Sequence, residues 1–237
     1  FDPSPGRNLA IIGAGTPSDD YGAAEDNSAL GILQAAGLSL AAQHPPGSAE
    51  FMILDALTDR DRDGAHFDDW LRAMEQLGHA PTLVERVHIK DWIAQALTEL
   101  DGRDPDSPPA YVLGLSVDRL GPLDVKEGIK PAPIAGFQQF LQRASVTGVH
   151  SLFWWANPAM FFAHMGLNRS APFDGTILLH GTEDTAQRLH GPLTRWEPTE
   201  NRAYFAETTS ASGPAKLIPY SPATPSDLAQ ITKVVSS

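Results

Sequence analysis

Short apolar runs alternate with longer amphipathic stretches along most of this 237-residue chain. Branched and aromatic residues fill the runs, as is typical of buried strands, and the stretches repeat apolar residues every three or four positions, as is typical of helices. This alternation predicts an α/β fold in which a mostly parallel sheet is covered by helices on both faces. Strands are predicted at residues 8–13, 50–55, 110–115, 149–155 and 175–180, and weaker ones at 82–87 and 202–206. Helices are predicted at residues 28–44, 67–77, 89–100, 134–145 and 159–165.

Composition places the chain among globular proteins and narrows the class of partner. Apolar residues make up 42% of it, and no run approaches the ~20 apolar residues that a membrane span needs. Because there is no cysteine, disulfides, thiolate metal sites and cysteine nucleophiles are excluded. The net charge of −12 disfavours direct DNA binding. Phe1 is no initiator Met and no signal pattern follows it, so we expect a segment of a longer protein.

Two patterns resemble ligand-binding loops, but each lacks an essential part. Residues 11–15 start like a dinucleotide-binding fingerprint, yet Ser18 replaces the third glycine and no acidic residue follows at the expected distance. Residues 59–64 resemble the first half of a calcium loop, but Trp70 stands where a closing Glu is needed. We therefore predict a glycine-bearing turn at the first, and at the second a solvated loop with Asp63 or a neighbour near the cap of the next helix.

Ser116 follows a predicted strand in a pattern that resembles the nucleophile elbow of serine hydrolases. The elbow needs small residues on both sides of the serine, and Val117 and Asp118 are not small. His180 and His190 follow in the order of a hydrolase triad, but the histidines show no spacing typical of a metal site. A serine acyl hydrolase that uses Ser116 is therefore kept as an alternative function.

The most informative block of the sequence is residues 147–158, Thr-Gly-Val-His-Ser-Leu-Phe-Trp-Trp-Ala-Asn-Pro. It resembles, without a gap, a stretch T-G-I-H-L-I-L-A-T-Q-R-P, with Gly148, His150 and Pro158 at matching positions. That stretch is found in the FtsK/SpoIIIE family of RecA-like P-loop ATPases. The resemblance implies a three-layer RecA-like P-loop NTPase fold.

Two more blocks extend this resemblance over residues 7–220. Residues 173–185 resemble the family's strand and Ser-x-x-Asp-Ser turn, with Asp184 in the place of the aspartate. Residues 8–55 resemble the Walker A strand, its helix and the next strand. The resemblance implies two regions: a degenerate FtsK/SpoIIIE-like RecA domain at residues 1–213, and a C-terminal tail at residues 214–237 that packs on this domain or extends from it.

The Walker A loop of the family is degenerate in this chain. Walker A curls backbone N–H groups around the phosphates and adds a lysine and a magnesium-binding hydroxyl. Here Gly13 ends the first strand, and Asn27 and Ser28 stand at the lysine and serine positions, so the resemblance implies only a weak nucleotide site. The loop between them carries carboxylates that would repel a triphosphate, Asp19, Asp20, Glu25 and Asp26.

The catalytic acid and the sensor of the family are also missing. The strand that should end in Asp-Glu has no carboxylate before Asp118, and Trp155 with Ala156 replaces the sensor Thr-Gln. The resemblance therefore implies no catalytic residue, no metal and no required cofactor, although ATP with magnesium stays open. Four aromatic residues lie near this strand end and predict either core packing or an apolar pocket for a partner: Trp154, Trp155, Phe161 and Phe162.

The resemblance, with these departures from it, implies a catalytically degenerate, C-terminal motor-like module of a larger FtsK/SpoIIIE-type translocase that acts in assembly, regulation or partner binding. The expected partners are other ATPase modules of the same polypeptide, copies of the chain, or a protein or peptide. A cytoplasmic location is expected, and membrane attachment through regions outside this sequence is allowed. A functional ATP-binding motor for DNA translocation is the other alternative.

Overall fold

The computed structural model describes residues 8–13, 27–104, 106–124, 133–144, 146–166, 172–197, 202–207 and 213–235. The strands in these residues are β1 (Leu9–Ile12), β2 (Glu50–Asp55), β3 (Thr82–Glu85), β4 (Ala110–Leu115), β5 (Val149–Trp155), β6 (Gly175–Leu178), β7 (Ala203–Glu207) and β8 (Ala215–Leu217). They form one sheet in the order β3-β2-β4-β5-β1-β6-β7-β8. The first six pair in parallel, and β7 and β8 are antiparallel to their neighbours.

Helices cover both faces of this sheet. Those in the described residues are α1 (Ser28–Gln43), α2 (Asp59–Gly64), α3 (Phe67–Gln76), α4 (Ile89–Gly102), α5 (Pro133–Ala144), α6 (Pro158–Met165), α7 (Glu183–His190) and α8 (Pro225–Val235). Buried residues of α4 to α7 pack on one face, and those of α1, α3 and α8 pack on the other. This arrangement confirms the predicted three-layer α/β fold. None of the described helices has the length and apolar character that a membrane span requires.

The central strands are buried on both faces, which is why the apolar runs revealed them. Every residue of β5 is buried, and Ile11 and Ile12 of β1 are fully buried in the two opposite cores. All seven predicted strands and all five predicted helices are present, with ends that differ by at most two residues. Helices α2, α7 and α8 and strand β8 were not predicted.

The predicted solvated loop at residues 59–64 is wrong, because these residues form α2. Thr58 caps this helix: its Oγ1 accepts a hydrogen bond from the Asp61 N–H (3.2 Å), and the Asp61 carboxylate accepts one from the Thr58 N–H (3.0 Å). This reciprocal pair is a capping box. The next helix, α3, is preceded by His66 in a left-handed conformation (φ 48°), so Asp63 is not its cap.

The C-terminal residues return across α1 and α3. A Cβ on Gly31 would lie 2.2 Å from the carbonyl oxygen of Tyr220, so only glycine lets the two backbones approach this closely. Gln34 accepts a hydrogen bond from the Ala223 N–H (3.2 Å), and Leu228 of α8 is buried. The predicted boundary between domain and tail stays a prediction.

Candidate functional site

Ligands of parallel sheets bind beyond the carboxyl ends of the strands, so the end of β1 is the first place to look. Gly13 follows β1 with φ 104°, and its N–H donates to the Trp155 carbonyl (2.8 Å). Its own carbonyl accepts a hydrogen bond from the Trp154 indole (3.0 Å). A Cβ at Gly13 would lie 2.3 Å from the His180 carbonyl. The exit of β1 is thus closely packed between the ends of β5 and β6.

The N-terminus of α1 lies at the same edge of the sheet, after a loop whose residues 14–26 are outside the described part of the chain. Asn27 is the N-cap residue, but its side chain makes no capping hydrogen bond. Its amide nitrogen lies 3.0 Å from where a Cβ on Gly64 would be, so Asn27 faces the end of α2. Ser28 is buried at the first position of the helix. The acidic residues of the loop fall on the undescribed residues.

A chain of ion pairs joins the ends of β2 and β4 through α2. The Asp55 side chain is fully buried at the end of β2, where it pairs with Arg62 and accepts the Leu57 N–H (2.9 Å). Asp61 pairs with Arg119 (2.6 Å), which lies in the 3₁₀ helix after β4. Arg62 and Arg119 are therefore both held by carboxylates.

The electrostatic surroundings of Asp61 favour its charged form. Burial alone would raise the pKa of this carboxyl, but hydrogen bonds from the Thr58 side chain and N–H, and the hydrogen bond and charge of Arg119, hold the pKa below its usual value. No ion pair of this network was predicted from the sequence. Thr58 and Asp61 carry the Thr-x-x-Asp pattern of a capping box, which could have indicated the helix but not its ion pairs.

Strand β4, at whose end the resemblance predicts a catalytic acid, leads into a tightly held turn. Ser116 follows β4 with φ 57°, in the left-handed region that favours glycine, and it is fully buried. Asp118 Oδ1 accepts a hydrogen bond from the Ala156 N–H (2.8 Å), and the Ser116 hydroxyl lies 3.5 Å from the same oxygen. The Asp118 carboxylate therefore links the ends of β4 and β5.

No protein-family model matches the sequence, and no curated protein matches it significantly. Solved structures do match. ATPases 2 and 3 of EssC from Geobacillus thermodenitrificans give a TM-score of 0.59 at 13% identity, over 97% of this chain and 44% of that one. ATPases 2 and 3 of EccC from Thermomonospora curvata, in complex with a signal sequence peptide, give 0.58 at 14% identity, over 97% and 41%. The pCW3 conjugation coupling protein TcpA, as a monomer with ATPγS, gives 0.56 at 10% identity, over 95% and 65%.

The chain has the fold of FtsK/SpoIIIE-type ATPase domains. It spans less than two thirds of the length of each of these solved chains. The resemblance seen in the sequence predicts that β1 and α1 flank the Walker A position, that the end of β4 is the position of the catalytic acid, and that the end of β5 is that of the sensor.

The family-motif residues lie at different places in the ATPase fold and do not form one site. Gly148 precedes β5 with φ 74°, and its carbonyl accepts the Ala110 N–H (3.0 Å). His150 is buried near the start of β5, stacked on Tyr111 at 5.4 Å between ring centres. Pro158 begins α6, and Asp184 is exposed in the first turn of α7. Gly148 and Pro158 thus lie at opposite ends of β5.

Core packing accounts for the four aromatic residues that sequence reasoning singled out. Trp154 lies in the core on one face of the sheet, and Trp155, Phe161 and Phe162 lie in the core on the other. None is more than 7% exposed. The Trp155 indole N–H donates to His164 Nδ1 (3.2 Å), and the ring centres of Trp155 and Phe161 are 5.1 Å apart. Burial of this extent leaves little aromatic surface for a partner and favours core packing. The apolar pocket for a partner is not tested by this observation and stays a prediction.

The surroundings of Ser116 do not support an acyl hydrolase. A triad needs a histidine within hydrogen-bond reach of the serine, whereas the hydrogen bond described for Ser116 joins it to Asp118. The side chain is fully buried, so an ester would have no access to its hydroxyl. His190 lies in the last turn of α7, where burial lowers its pKa.

Proposed function

We propose that this chain is a catalytically degenerate, ATPase-like module of a larger FtsK/SpoIIIE-type translocase, with a role in assembly, regulation or partner binding. The observation that carries the proposal is the hydrogen bond between Asp118 and the Ala156 N–H (2.8 Å). A catalytic carboxylate at this edge must be available to a magnesium ion and a water molecule. Asp118 is instead engaged with the backbone at the sensor position, which supports a structural role.

The charges at the nucleotide edge also disagree with a bound magnesium triphosphate. Phosphoryl transfer relies on cations that neutralise the phosphate oxygens, and the lysine position holds the neutral Asn27. Arg62 and Arg119 are already paired with carboxylates. Ser28 retains the hydroxyl of the family motif, but one hydroxyl does not replace the missing charges. The described residues therefore do not fit the cofactor, and we derive no hydrolytic step.

The structural neighbours favour a protein as the partner. The solved EssC and EccC structures each contain two ATPases, numbered 2 and 3, and the EccC structure is a complex with a signal sequence peptide. The net charge of −12 opposes a role in gripping DNA, because DNA binding depends on neutralising phosphates with basic residues. We infer that neighbouring ATPase modules or a peptide are the partners of this module.

A functional ATP-binding motor is the second candidate, and one observation favours it. TcpA, which shares the fold, has been solved with ATPγS. In that case Ser28 at the start of α1 would contact the nucleotide, and the Walker A loop would supply the remaining contacts.

Thermal unfolding with and without Mg-ATP separates the two candidates. Ligand at about 100 times its Kd stabilises a protein by about 2.7 kcal/mol, which for a chain of this size corresponds to roughly 5–10 °C in Tm. We expect Mg-ATP at a few millimolar to leave Tm within about 1 °C and to be hydrolysed no faster than in buffer. A magnesium-dependent rise of several degrees that Ser28→Ala abolishes would contradict the proposal.

A further inference from the structure

A cavity of about 390 Å³ lies at the amino edge of the sheet, opposite the edge that carries the candidate site. It is bounded by the first residues of three parallel strands, Glu50, Ala110 and Val149. Because β2 has six residues at about 3.3 Å each, roughly 20 Å of strand separates the two edges. The cavity is therefore distinct from the nucleotide edge, and a ligand bound in it would be independent of the proposed function.

A step in the sheet creates this cavity. The edge strand β3 pairs with β2 only from Thr82, which lies opposite Met52. The first two residues of β2 thus extend beyond the edge strand, while the C-terminal half of α4 continues past the same point. Space remains between helix and strand, and at the centre of the helical wall the small side chain of Ala96 leaves it open.

One wall of the cavity is apolar. Helix α4 contributes Trp92, Ala96 and Leu100, which are four residues apart and share one helix face. Val112 of β4 and Phe140 of α5 complete this part of the wall, and all five residues are buried. Pockets of about 300–1,000 Å³ with apolar walls and a few polar groups are the usual form of small-molecule sites.

The charged groups at the rim favour a cation over an anion. Arg103 is the cation of the rim: its guanidinium donates to the carbonyls of Thr147 and Pro108, pairs with the Glu50 carboxylate (3.7 Å), and belongs to a side chain that is only 14% exposed. The Glu50 side chain is 66% exposed, and Glu99 is exposed on α4. Because Glu50 is paired with Arg103, whereas the partner described for Glu99 is the neutral amide of Gln95 (2.8 Å), the Glu99 carboxylate is the charge that a ligand would meet.

His79, the histidine that lines the cavity, does not change the preference of the rim for a cation. His79 is buried, and its two ring nitrogens face the carbonyl oxygens of Ala49 and His44, each at 3.2 Å. Its polar atoms are thus turned towards the backbone. Tyr111 also lines the cavity, and its hydroxyl is hydrogen bonded to the His44 ring (2.8 Å), whose pKa is lowered by burial and by the nearby His79.

We propose that this cavity binds a small organic cation with an aromatic or branched aliphatic body. The body would fill the apolar space beside Trp92 and Ala96, and the ammonium group would lie at the rim near Glu99. Such a ligand buries apolar area and gains a charge interaction without breaking the hydrogen bonds of Arg103.

Three probes with one phenyl body and different charges test the proposal: 2-phenylethylamine, 2-phenylethanol and 3-phenylpropionate. Titration calorimetry with the 237-residue chain should show the amine binding about tenfold more tightly than the carboxylate, the factor that about 1.4 kcal/mol provides, with the alcohol between them. Equal or tighter binding of the carboxylate would overturn the proposed cation preference. If none of the three probes binds at about 10-fold molar excess over a sub-millimolar concentration of the protein, the proposed site is wrong.

Substitutions on the rim test the location without disturbing the core. Glu99→Gln should remove most of the preference for the amine, and Thr82→Trp, at an exposed strand position on the lining, should weaken all three probes at least fivefold. Glu183→Gln is the matched control, because Glu183 is an exposed helical glutamate bonded to Gln187 (3.2 Å), as Glu99 is bonded to Gln95 (2.8 Å). The assignment would be overturned if Glu183→Gln lost amine binding, or if Glu99→Gln kept the full preference for the amine. Binding of a Lys-Phe-Lys peptide without binding of the free amine would also overturn it.

Discussion

Replacement of Arg62 by methionine removes the cation that neutralises the buried Asp55 carboxylate. The Asp55 side chain has no exposed area, and the other hydrogen bond described for it comes from the Leu57 N–H (2.9 Å). Leaving one charge of a buried pair uncompensated costs about 3–5 kcal/mol. Because a third of the Arg62 side chain is exposed, solvent screens the pair and we reduce this to about 2–4 kcal/mol. That figure includes the contact of Arg62 with the Phe67 ring, 4.9 Å from its centre, which contributes about 0.5–1 kcal/mol.

Replacement of Asp55, the other partner of the ion pair, should lower the free energy of unfolding by less than replacement of Arg62 does. In Asp55→Asn the amide oxygen can still accept the Leu57 N–H, and the guanidinium of Arg62 can turn towards solvent, so we expect a loss of about 1–2 kcal/mol. The double variant Asp55→Asn/Arg62→Met leaves no buried charge unpaired. Its cost should therefore be smaller than the sum of the two single costs.

Equilibrium unfolding in urea measures these differences as shifts of the transition midpoint at constant slope. Arg72→Met is the matched control, because Arg72 forms an exposed ion pair with Asp69 on α3, and it should change stability by less than about 0.5 kcal/mol. If Arg62→Met is no more destabilising than Asp55→Asn, or if the two effects simply add, the ion-pair account of this edge is refuted.

Three further predictions concern the backbone and the pH dependence. Gly31→Ala places a Cβ 2.2 Å from a carbonyl oxygen, so it should lower the free energy of unfolding by about 1–3 kcal/mol and raise hydrogen exchange in residues 220–235. Gly102→Ala, with open space around its Cβ position, should do neither. Ser116→Gly relieves a left-handed backbone and should be neutral or stabilising by up to about 1 kcal/mol in thermal unfolding, while Ser116→Val should destabilise. The pKa of Asp61 is lowered, so its contribution to stability is present above the unfolded-state pKa and is lost as the pH falls below about 4. Asp61→Asn should therefore lose less stability on acidification than the unchanged chain, and equal acid sensitivity in urea titrations would contradict this.

The sequence could predict the elements whose burial leaves an apolar signature. The run 149–155 has that signature and forms β5. Helix α2 has no buried residue, so its apolar spacing carries no signal. Its capping box, Thr58 with Asp61, does carry one, and the same pattern at Thr224 and Asp227 stands at the start of α8. A search for caps as well as for apolar periodicity would have predicted both helices.

The sequence could predict where the residues of the candidate site lie in the fold, but it could not predict their contacts. The position of Ser28 follows from the pattern of strand, loop and helix. The pairs that fix the edge join residues far apart in sequence: Arg119 with Asp61 across 58 positions, and Asp118 with Ala156 across 38. Such contacts depend on which strands lie side by side, and local patterns do not contain that information. The cavity at the amino edge has the same origin, because it results from the register of two strands.

Direct binding of Mg-ATPγS to the 237-residue chain is the measurement that tests the central claim, the loss of nucleotide function. Titration calorimetry at a few millimolar nucleotide, with and without magnesium, reports binding even when Tm does not change. The account predicts no saturable heat for the unchanged chain or for Ser28→Ala. A saturable, magnesium-dependent isotherm that disappears in Ser28→Ala would show that α1 and the loop before it form a nucleotide site, and would contradict the account.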